Sequence, residues 1–463
     1  MTNSPASPRS HTLAERELRA AVRGTVLTTT DAAYDGARRI WNGAVDRRPA
    51  VLTRCADAED AAMTVRIARE HGLPLSVRGG GHDWSGRALR EGGVVLDLSE
   101  LRGVTVNPSD ATATAQGGVR AGDLVAGAHE HGFKPVVGTV KAVGVTGLTL
   151  GGGYGLLGGL HGLAADNLLA ARVVLADGTE VTADATENPD LYWALRGGGG
   201  NFGVVTDLRY RVHPGATVLS GLLLFPLDQA SSVLRGYREL IAEAPDELTV
   251  MAGFFTGPEG TPVLFLLPMW SGDPALGNDA VARLAKLGTP VFGEVNPMAY
   301  QDVLGMFDAV VVDGRHNEMR TRWLPELTDT TTELLIAAAA RMTSPYSGLY
   351  LHHFHGAAAR VPSADTAFAL RKDHLLVEIA ASWAPAGDTE ADAAHGQWAR
   401  QVSAELAESA LSGGYPNLLG SDERERALAS FGAGGAERLL EVKRRYDPDN
   451  VFSAVPALLP TPS

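Results

Sequence analysis

Arg78-Gly79-Gly80-Gly81-His82 follows the strand-like run Leu73-Pro74-Leu75-Ser76-Val77. Consecutive glycines at a strand end let successive N–H groups turn inward as a nest for pyrophosphate oxygens, or simply close a tight turn. Two further runs carry polar groups on strands. In Tyr350-Leu351-His352-His353-Phe354-His355 a period of two places His353 and His355 on one face and His352 and Phe354 on the other. His353 and His355 are candidates for substrate-facing groups, for exposed or hydrogen-bonded histidines, or for a metal site whose third ligand is not evident. Glu378 interrupts the apolar run Leu375–Trp383. It stands either at an open face of a sheet or buried as a candidate proton acceptor.

Glycine is concentrated where these groups need support. Of 54 glycines, 28 fall between Gly79 and Gly203, which marks backbone that turns tightly or approaches a ligand, here a bound cofactor. Gly153-Tyr-Gly155-Leu-Leu-Gly158 matches G-x-G-x-x-G, with Asp177 about 20 residues on. Too few residues follow it for the helix that a dinucleotide fold requires, and Asp177-Gly178 reads as a hairpin turn. A P-loop motif does not occur.

The surrounding elements read as an α+β chain. A helix opens at Thr12 and Glu15, which have capping-box spacing, and ends at Gly24. A second runs from Asp57 to Gly72, and a third from Ala121 to His131, closed by Gly132. From about 216 to 410, strand candidates (Leu222–Phe225, Leu248–Phe255, Val263–Leu267, Gly348–His355, Leu375–Trp383) alternate with helices such as Ser231–Ala244 and Asp329–Arg341. This pattern predicts an antiparallel sheet with one face covered by helices. Short helices over Asp422–Ala429 and Ala436–Tyr446 follow. His213-Pro214-Gly215 reads as a boundary before the strand-rich stretch.

Composition narrows the function. The 463 residues are 45% hydrophobic and 20% charged, with 40 Lys and Arg against 54 Asp and Glu for a net charge of −14. This is globular composition without the basic footprint of a nucleic-acid or anionic-membrane binder. Cys55 alone excludes an internal disulfide framework and a multi-cysteine metal site, and no metal is expected. No apolar run approaches the ~18 residues of a membrane span, and the polar stretch 1–23 has no apolar core for export. A cytoplasmic setting is the expectation.

Several long motifs occur in order. They are Val77-Arg-Gly-Gly-Gly-His82, Gly147-Leu-Thr-Leu-Gly-Gly-Gly-Tyr-Gly155, Gly162-Leu-Ala-Ala-Asp-Asn167, Asn188 through Thr206, Tyr415-Pro-Asn417 and Tyr446-Asp-Pro-Asp-Asn450. With them the chain resembles the berberine-bridge-enzyme-like flavin oxidases of the vanillyl-alcohol oxidase/p-cresol methylhydroxylase superfamily, most closely the bacterial antibiotic-pathway members. The resemblance covers most of the chain. It implies a two-part p-cresol methylhydroxylase-type FAD-binding domain, about 1–215 and 411–463, with the substrate domain 216–410 roofing the flavin by an antiparallel sheet and His82 bonded covalently to the flavin 8α-methyl. A histidine just after a pyrophosphate nest is well placed to attack, because the nest holds the cofactor beside it.

The resemblance also implies the remaining cofactor contacts. In the first part these are Trp41, Val77, Arg78, Gly79, Gly80, Gly81, Gly86, Gln116, Gly117 and Gly118. From the central glycine run come Gly138, Val140, Val143, Gly144, Gly147, Leu148, Gly151, Gly152, Gly153, Tyr154, Gly155, Asp166 and Asn167. Gly200, Asn201, Gly203, Val204, Val205 and Asn417 complete the set. Tyr415 is the first choice as catalytic base, with Glu378, His353 and His355 as its partners or alternatives. Two departures stand out. Val140 occupies the position where many relatives carry a second, cysteinyl flavin link, so one covalent bond is expected here. After Phe452, Ser453-Ala-Val-Pro-Ala457 replaces the relatives' usual Arg-x-Asn-Gln-Asn. The implied activity is oxidation of a small alcohol, phenol or amine with O2 as acceptor, giving hydrogen peroxide. Oxidative cyclisation or rearrangement in antibiotic biosynthesis is the alternative, and a non-catalytic flavin-binding remnant the remote one.

Overall fold

The computed structural model describes residues 8–385, 387, 389–453 and 458. Its first helix, Pro8–Ala21, begins upstream of the expected cap, so Thr12 and Glu15 lie inside it and Glu15 pairs with Arg19 at 3.0 Å. Asp57 caps the helix Ala58–Glu70 by accepting from the Asp60 N–H. The buried Asp60 carboxylate in turn accepts from the backbone N–H groups of Arg23, Gly24 and Ala56, each at 2.8 Å. These three bonds fasten the end of the first helix to the start of the second.

The mixed α+β class is as expected, carried by three sheets. A four-stranded sheet runs in the order Thr25–Leu27, Val51–Arg54, Val94–Asp97, Leu75–Arg78, with its last three strands parallel. Its buried alternation (Val51, Val94 and Leu96 on the helix side) packs against Ala61, Val65 and Ala68. A six-stranded sheet is built around the long strand Val204–Pro214, which pairs with Thr112–Gln116, Leu168–Val174 and Phe133–Pro135. The expected hairpin is present: Leu168–Val174 pairs with Glu180–Asp184 around Asp177-Gly178.

The third sheet has seven antiparallel strands in the order Phe292–Ala299, Thr217–Pro226, Pro262–Trp270, Leu248–Thr256, Gly348–Phe354, His374–Trp383, His316–Leu324. Helices Ala230–Ala242, Asp329–Ala340 and Thr389–Glu405 cover one face through Val233, Tyr237, Leu335, Ala338, Trp398 and Val402. The two outermost strands were not foreseen. Phe292–Ala299 contains Gly293, Asn296 and Pro297, a composition tolerated at an edge. His316–Leu324 alternates Glu318, Arg320 and Arg322 with its apolar residues, and it too is an edge.

The C-terminal stretch forms helices Arg424–Ala429 and Gly435–Tyr446. From the latter, the fully buried Lys443 ammonium donates to the Asn201 carbonyl (2.7 Å), the Asp447 carboxylate (2.5 Å) and the Phe452 carbonyl. Of the divergent segment after Phe452, only Ser453 belongs to the described residues, where it accepts from Arg90 at 2.9 Å; 454–457 lie outside them.

Candidate active site between the glycine loops and the sheet

One cavity of about 390 Å³ runs from Leu75, Ala88, Arg90 and Phe452 to Trp41 and His82, and opens under the bare face of the seven-stranded sheet. Its floor begins where the strand Leu75–Arg78 ends. Gly79, Gly80, Gly81 and His82 turn along the cavity against Gly117, Val143 and Gly144. The approach is close: a Cβ on Gly80 would stand 2.5 Å from the Gly144 nitrogen, and Gly81 has φ +70.

His82 lies flat on Trp41, ring centroids 4.3 Å apart and planes within 12°. The Trp41 backbone N–H donates to the Gly81 carbonyl at 2.9 Å and ties the two segments together beside the stack. The His82 Nε2 is buried without a hydrogen-bond partner. Burial pulls the imidazole pKa down to about 4, against the nearby charges of Asp313 and Glu378. It is therefore a neutral ring with an uncommitted nitrogen.

The roof comes from alternate residues of three strands. Met319, Tyr350, His352, Leu376, Glu378, Ala380 and Ser382 line the cavity, while Leu349, Leu351, Leu375, Val377, Ile379 and Ala381 point to the covering helices. Tyr350 and Thr321 face Glu378 directly across the ladders, and His352 Nε2 meets Glu378 Oε2 at 3.2 Å. Tyr415 enters from the C-terminal segment. Its oxygen accepts from Asn417 Nδ2 at 3.0 Å, and the same amide donates to the carbonyls of Gly147 and Leu148 at 3.1 Å. Burial pushes the Tyr415 phenol up to about 12, more than the bond from Asn417 lowers it.

The cavity gathers most of the residues nominated for cofactor binding: Trp41, Val77, Gly79–Gly81, His82, Gly117, Gly138, Val140, Val143, Gly144, Gly147, Leu148, Tyr154, Gly200, Gly203, Val205 and Asn417. Tyr415 and Glu378 join them. His353 and His355 do not. They share a face, as expected, but it is the face turned away from the cavity. Their rings stack at 3.8 Å, and His355 reaches Thr249 Oγ1 at 3.4 Å. The physical reason is strand parity: Leu349 and Leu351 go to the helix-covered core and carry His353 with them. His352, read as lying opposite, is the histidine at the site, and those two leucines are the signal that could have found it.

Other nominees support the site from outside the cavity. Arg78 turns to the Ala37 carbonyl and, at 3.8 Å, to Asp97. Gly86 offers its carbonyl to Arg47, and Gln116 Oε1 accepts from the Gly103 N–H. Gly118 and Gly155 lie against the carbonyls of Leu98 and Val137, while Gly151, Gly152 and Gly153 make room for Asn417, Phe368 and Ala164. Asp166 takes both Arg371 nitrogens at 2.8 Å, and Asn167 bonds the carbonyls of His161 and Leu163 and the ring of His213. Asn201 donates to the Gly198 carbonyl, and Val204 packs into the core on the side opposite Val205. Tyr350, Met251 and Phe307 line the cavity without having been nominated.

Comparison with known proteins accounts for this arrangement. Residues 49–184 match an FAD-binding domain, and residues 414–457 match the family described as berberine and berberine like. A Bacillus subtilis protein, the uncharacterized FAD-linked oxidoreductase YvdP, is 30% identical over 93% of this chain and 96% of its own. The chain belongs to the berberine-like FAD-linked oxidoreductases. A crystal structure of 6-hydroxy-D-nicotine oxidase from Arthrobacter nicotinovorans is 29% identical, covering 93% of this chain and 96% of that one, with a TM-score of 0.85. Glucooligosaccharide oxidase from Acremonium strictum, with a 6-S-cysteinyl, 8α-N1-histidyl FAD, shares the fold at 24% identity and a TM-score of 0.85, over 97% of this chain and 99% of that one. The cofactor of this FAD-linked enzyme fits the residues present, because the Gly79–Gly81 nest and His82, whose Nε2 is buried without a partner, line the same cavity. Among the described residues no helix is long and apolar enough to cross a membrane, and no group of three or more His, Cys, Asp or Glu could hold a metal ion.

Proposed function

We propose that this FAD-linked oxidoreductase holds its flavin through a single covalent bond from a His82 ring nitrogen and oxidises a small alcohol, phenol or amine. The observation that carries the reading is the convergence of His82, Glu378–His352 and Tyr415 on one cavity floored by the glycine nest. Bound FAD would supply the two-electron acceptor, with dioxygen as the final oxidant and hydrogen peroxide as the by-product. The N–H groups of the Gly79–His82 turn would hold its pyrophosphate, and Trp41 keeps the His82 ring in place by stacking on it. Val140 lines the same cavity and carries no sulfur, so the cysteinyl link of the glucooligosaccharide oxidase has no counterpart at that position.

The substrate must also give up a proton from its hydroxyl or amine. A phenol with its pKa near 12 keeps its own proton at neutral pH, which makes Tyr415 a hydrogen-bond donor to the substrate, oriented by Asn417. Glu378 is then the acceptor, with His352 holding its second side. This gives Glu378, rather than Tyr415, the role of base. The test is anaerobic mixing of the purified holoenzyme with candidate alcohols, phenols and amines. The expected result is bleaching of the flavin, a product lighter by two hydrogens, and peroxide once air is admitted. A cyclised or rearranged product points instead to flavin-dependent ring formation. Absence of bleaching with every compound removes the oxidase reading.

A further inference from the structure

Trp41 is held from two directions. Its backbone N–H is bonded to Gly81 of the glycine nest, and its carbonyl accepts from the Gly314 N–H at 3.0 Å. Gly314 leads into His316–Leu324, the outer strand of the roof sheet. The Trp41 indole Nε1 is buried without a hydrogen-bond partner. The ring that stacks on His82 is therefore placed by its backbone and its packing, with no polar anchor of its own.

The next residue joins the two sides. His316–Leu324 is an edge, and an edge strand turns alternate N–H and C=O groups away from the sheet, where no strand receives them. At Asn317 both groups go to one side chain. Its N–H donates to Asn42 Oδ1 at 2.9 Å, and its carbonyl accepts from Asn42 Nδ2 at 2.9 Å. The Asn42 amide thus stands in for one residue of a neighbouring strand. Its remaining capacity goes to the nest side, where Nδ2 donates to the Trp84 carbonyl at 2.5 Å and Oδ1 accepts from the Ala44 N–H at 3.1 Å. Both donors and both lone pairs are then used, and Asn42 is buried. Beside it, the Gly43 N–H donates to the Arg315 carbonyl at 2.8 Å, and a Cβ on Gly43 would stand 2.2 Å from the Gly314 oxygen.

Resting on the reading of His82 as the flavin-bearing residue, we propose that Asn42 is a positioning residue that makes the roof part of the flavin-attachment site. By docking Asn317 it seats Trp41, and Trp41 seats the His82 ring. Asn42 does not itself line the flavin cavity, whereas Trp41, His82 and Asn317 do, so it acts through its neighbours. The consequence is that His82 stands in its working position only when the outer strand of the roof is docked on the Trp41–Gly43 turn.

The test reads attachment without any substrate. Purified holoenzyme is precipitated with acid, and the flavin in the pellet is compared with that in the supernatant. Asn42→Ala is expected to leave at least fivefold less flavin in the pellet than the unaltered protein. Gly43→Ala keeps the whole Asn42 side chain and presses the two loops apart, so it should do the same, and it decides the matter if Asn42→Ala does not fold. Trp193→Phe is the control. It removes a bond to the Ala364 carbonyl (2.9 Å) that ties the roof down elsewhere, away from the cavity. Its pellet fraction should match the unaltered protein even with a lower melting temperature. An unchanged pellet fraction in the folded Asn42 and Gly43 variants overturns the proposal. Equal losses in all three variants also overturn it, because the effect is then general loosening. If the unaltered protein itself releases all its flavin, the His82 bond has failed on its own account. The proposal is then judged by the FAD dissociation constant from equilibrium dialysis. Asn42→Ala must raise it about tenfold and Trp193→Phe must not, or the proposal falls.

Discussion

His82 has the properties an attacking nitrogen needs. Its ring is neutral because burial holds the pKa near 4, it is stacked in a fixed plane on Trp41, and its Nε2 has no protein partner. Acid precipitation of the holoenzyme should therefore leave the flavin on a peptide containing His82, whereas His82→Ala should release all of it to the supernatant. Release from the unaltered protein would remove the covalent bond while leaving FAD binding intact. The proton acceptor is tested at the same scale. Glu378→Gln should slow anaerobic flavin reduction by about 10²–10⁴, because the amide cannot take the substrate proton. Tyr415→Phe should cost less and act mainly through substrate orientation. A larger loss for Tyr415→Phe, with Glu378→Gln near the unaltered rate, would return the role of base to the tyrosine.

Whole elements set these groups face to face. Period-two alternation selects Tyr350 and His352 from one strand and Leu376, Glu378 and Ala380 from the next. Pairing Tyr350 with Glu378 fixes the register, and a slip of one residue would present Leu351 and Val377 instead. On the opposite side, the helix Gly435–Tyr446 props the loop holding Gly200 and Gly203 through Lys443, which bonds Asn201 and the wholly buried Asp447. Removing one partner of such a pair strands the other charge in the interior. Lys443→Met should accordingly lower unfolding stability by about 3–5 kcal/mol, read by urea denaturation, and weaken retention of flavin by the folded protein. An unchanged denaturation midpoint would show that the pair contributes nothing.

At the scale of the whole molecule, several histidines are buried in neutral form. Burial draws His161 and His374 down to about 3 and His213 to about 4. Above a pH of about 6.5 these rings are neutral in both the folded and the unfolded chain, and their burial carries no proton penalty. As pH falls below that value the unfolded chain takes up protons that the folded one refuses. Each group then costs about 1.4 kcal/mol per pH unit until its own folded pKa is reached. Melting temperature should fall steadily between pH 6.5 and 4, and His161→Phe, which keeps the stack on His213 at 3.6 Å, should flatten that decline. An identical slope in the variant would assign the acid sensitivity to other groups.

Much of this protein was already legible in its sequence. The Gly79–His82 turn, the glycine-rich stretch to Gly203, the Asp177-Gly178 hairpin and the run of strands after 216 are local patterns, dictated by backbone freedom and by periodicity within a few residues. Placing His352 at the site and His353 and His355 behind it was decided by tertiary structure. Alternation tells which residues share a face, but only the helices packed on Leu349 and Leu351 tell which face is inside. The edge strands Phe292–Ala299 and His316–Leu324 were likewise hidden, because their Pro, Gly and charged residues are tolerated only where a sheet has one neighbour left to pair. The same division separates Asp166, Asn167 and Gly151–Gly153 from the cavity they support. Their identity follows from motif, but the neighbours of Asp166, Gly151 and Gly152, which are Arg371, Asn417 and Phe368, come from distant parts of the chain that only the fold brings in.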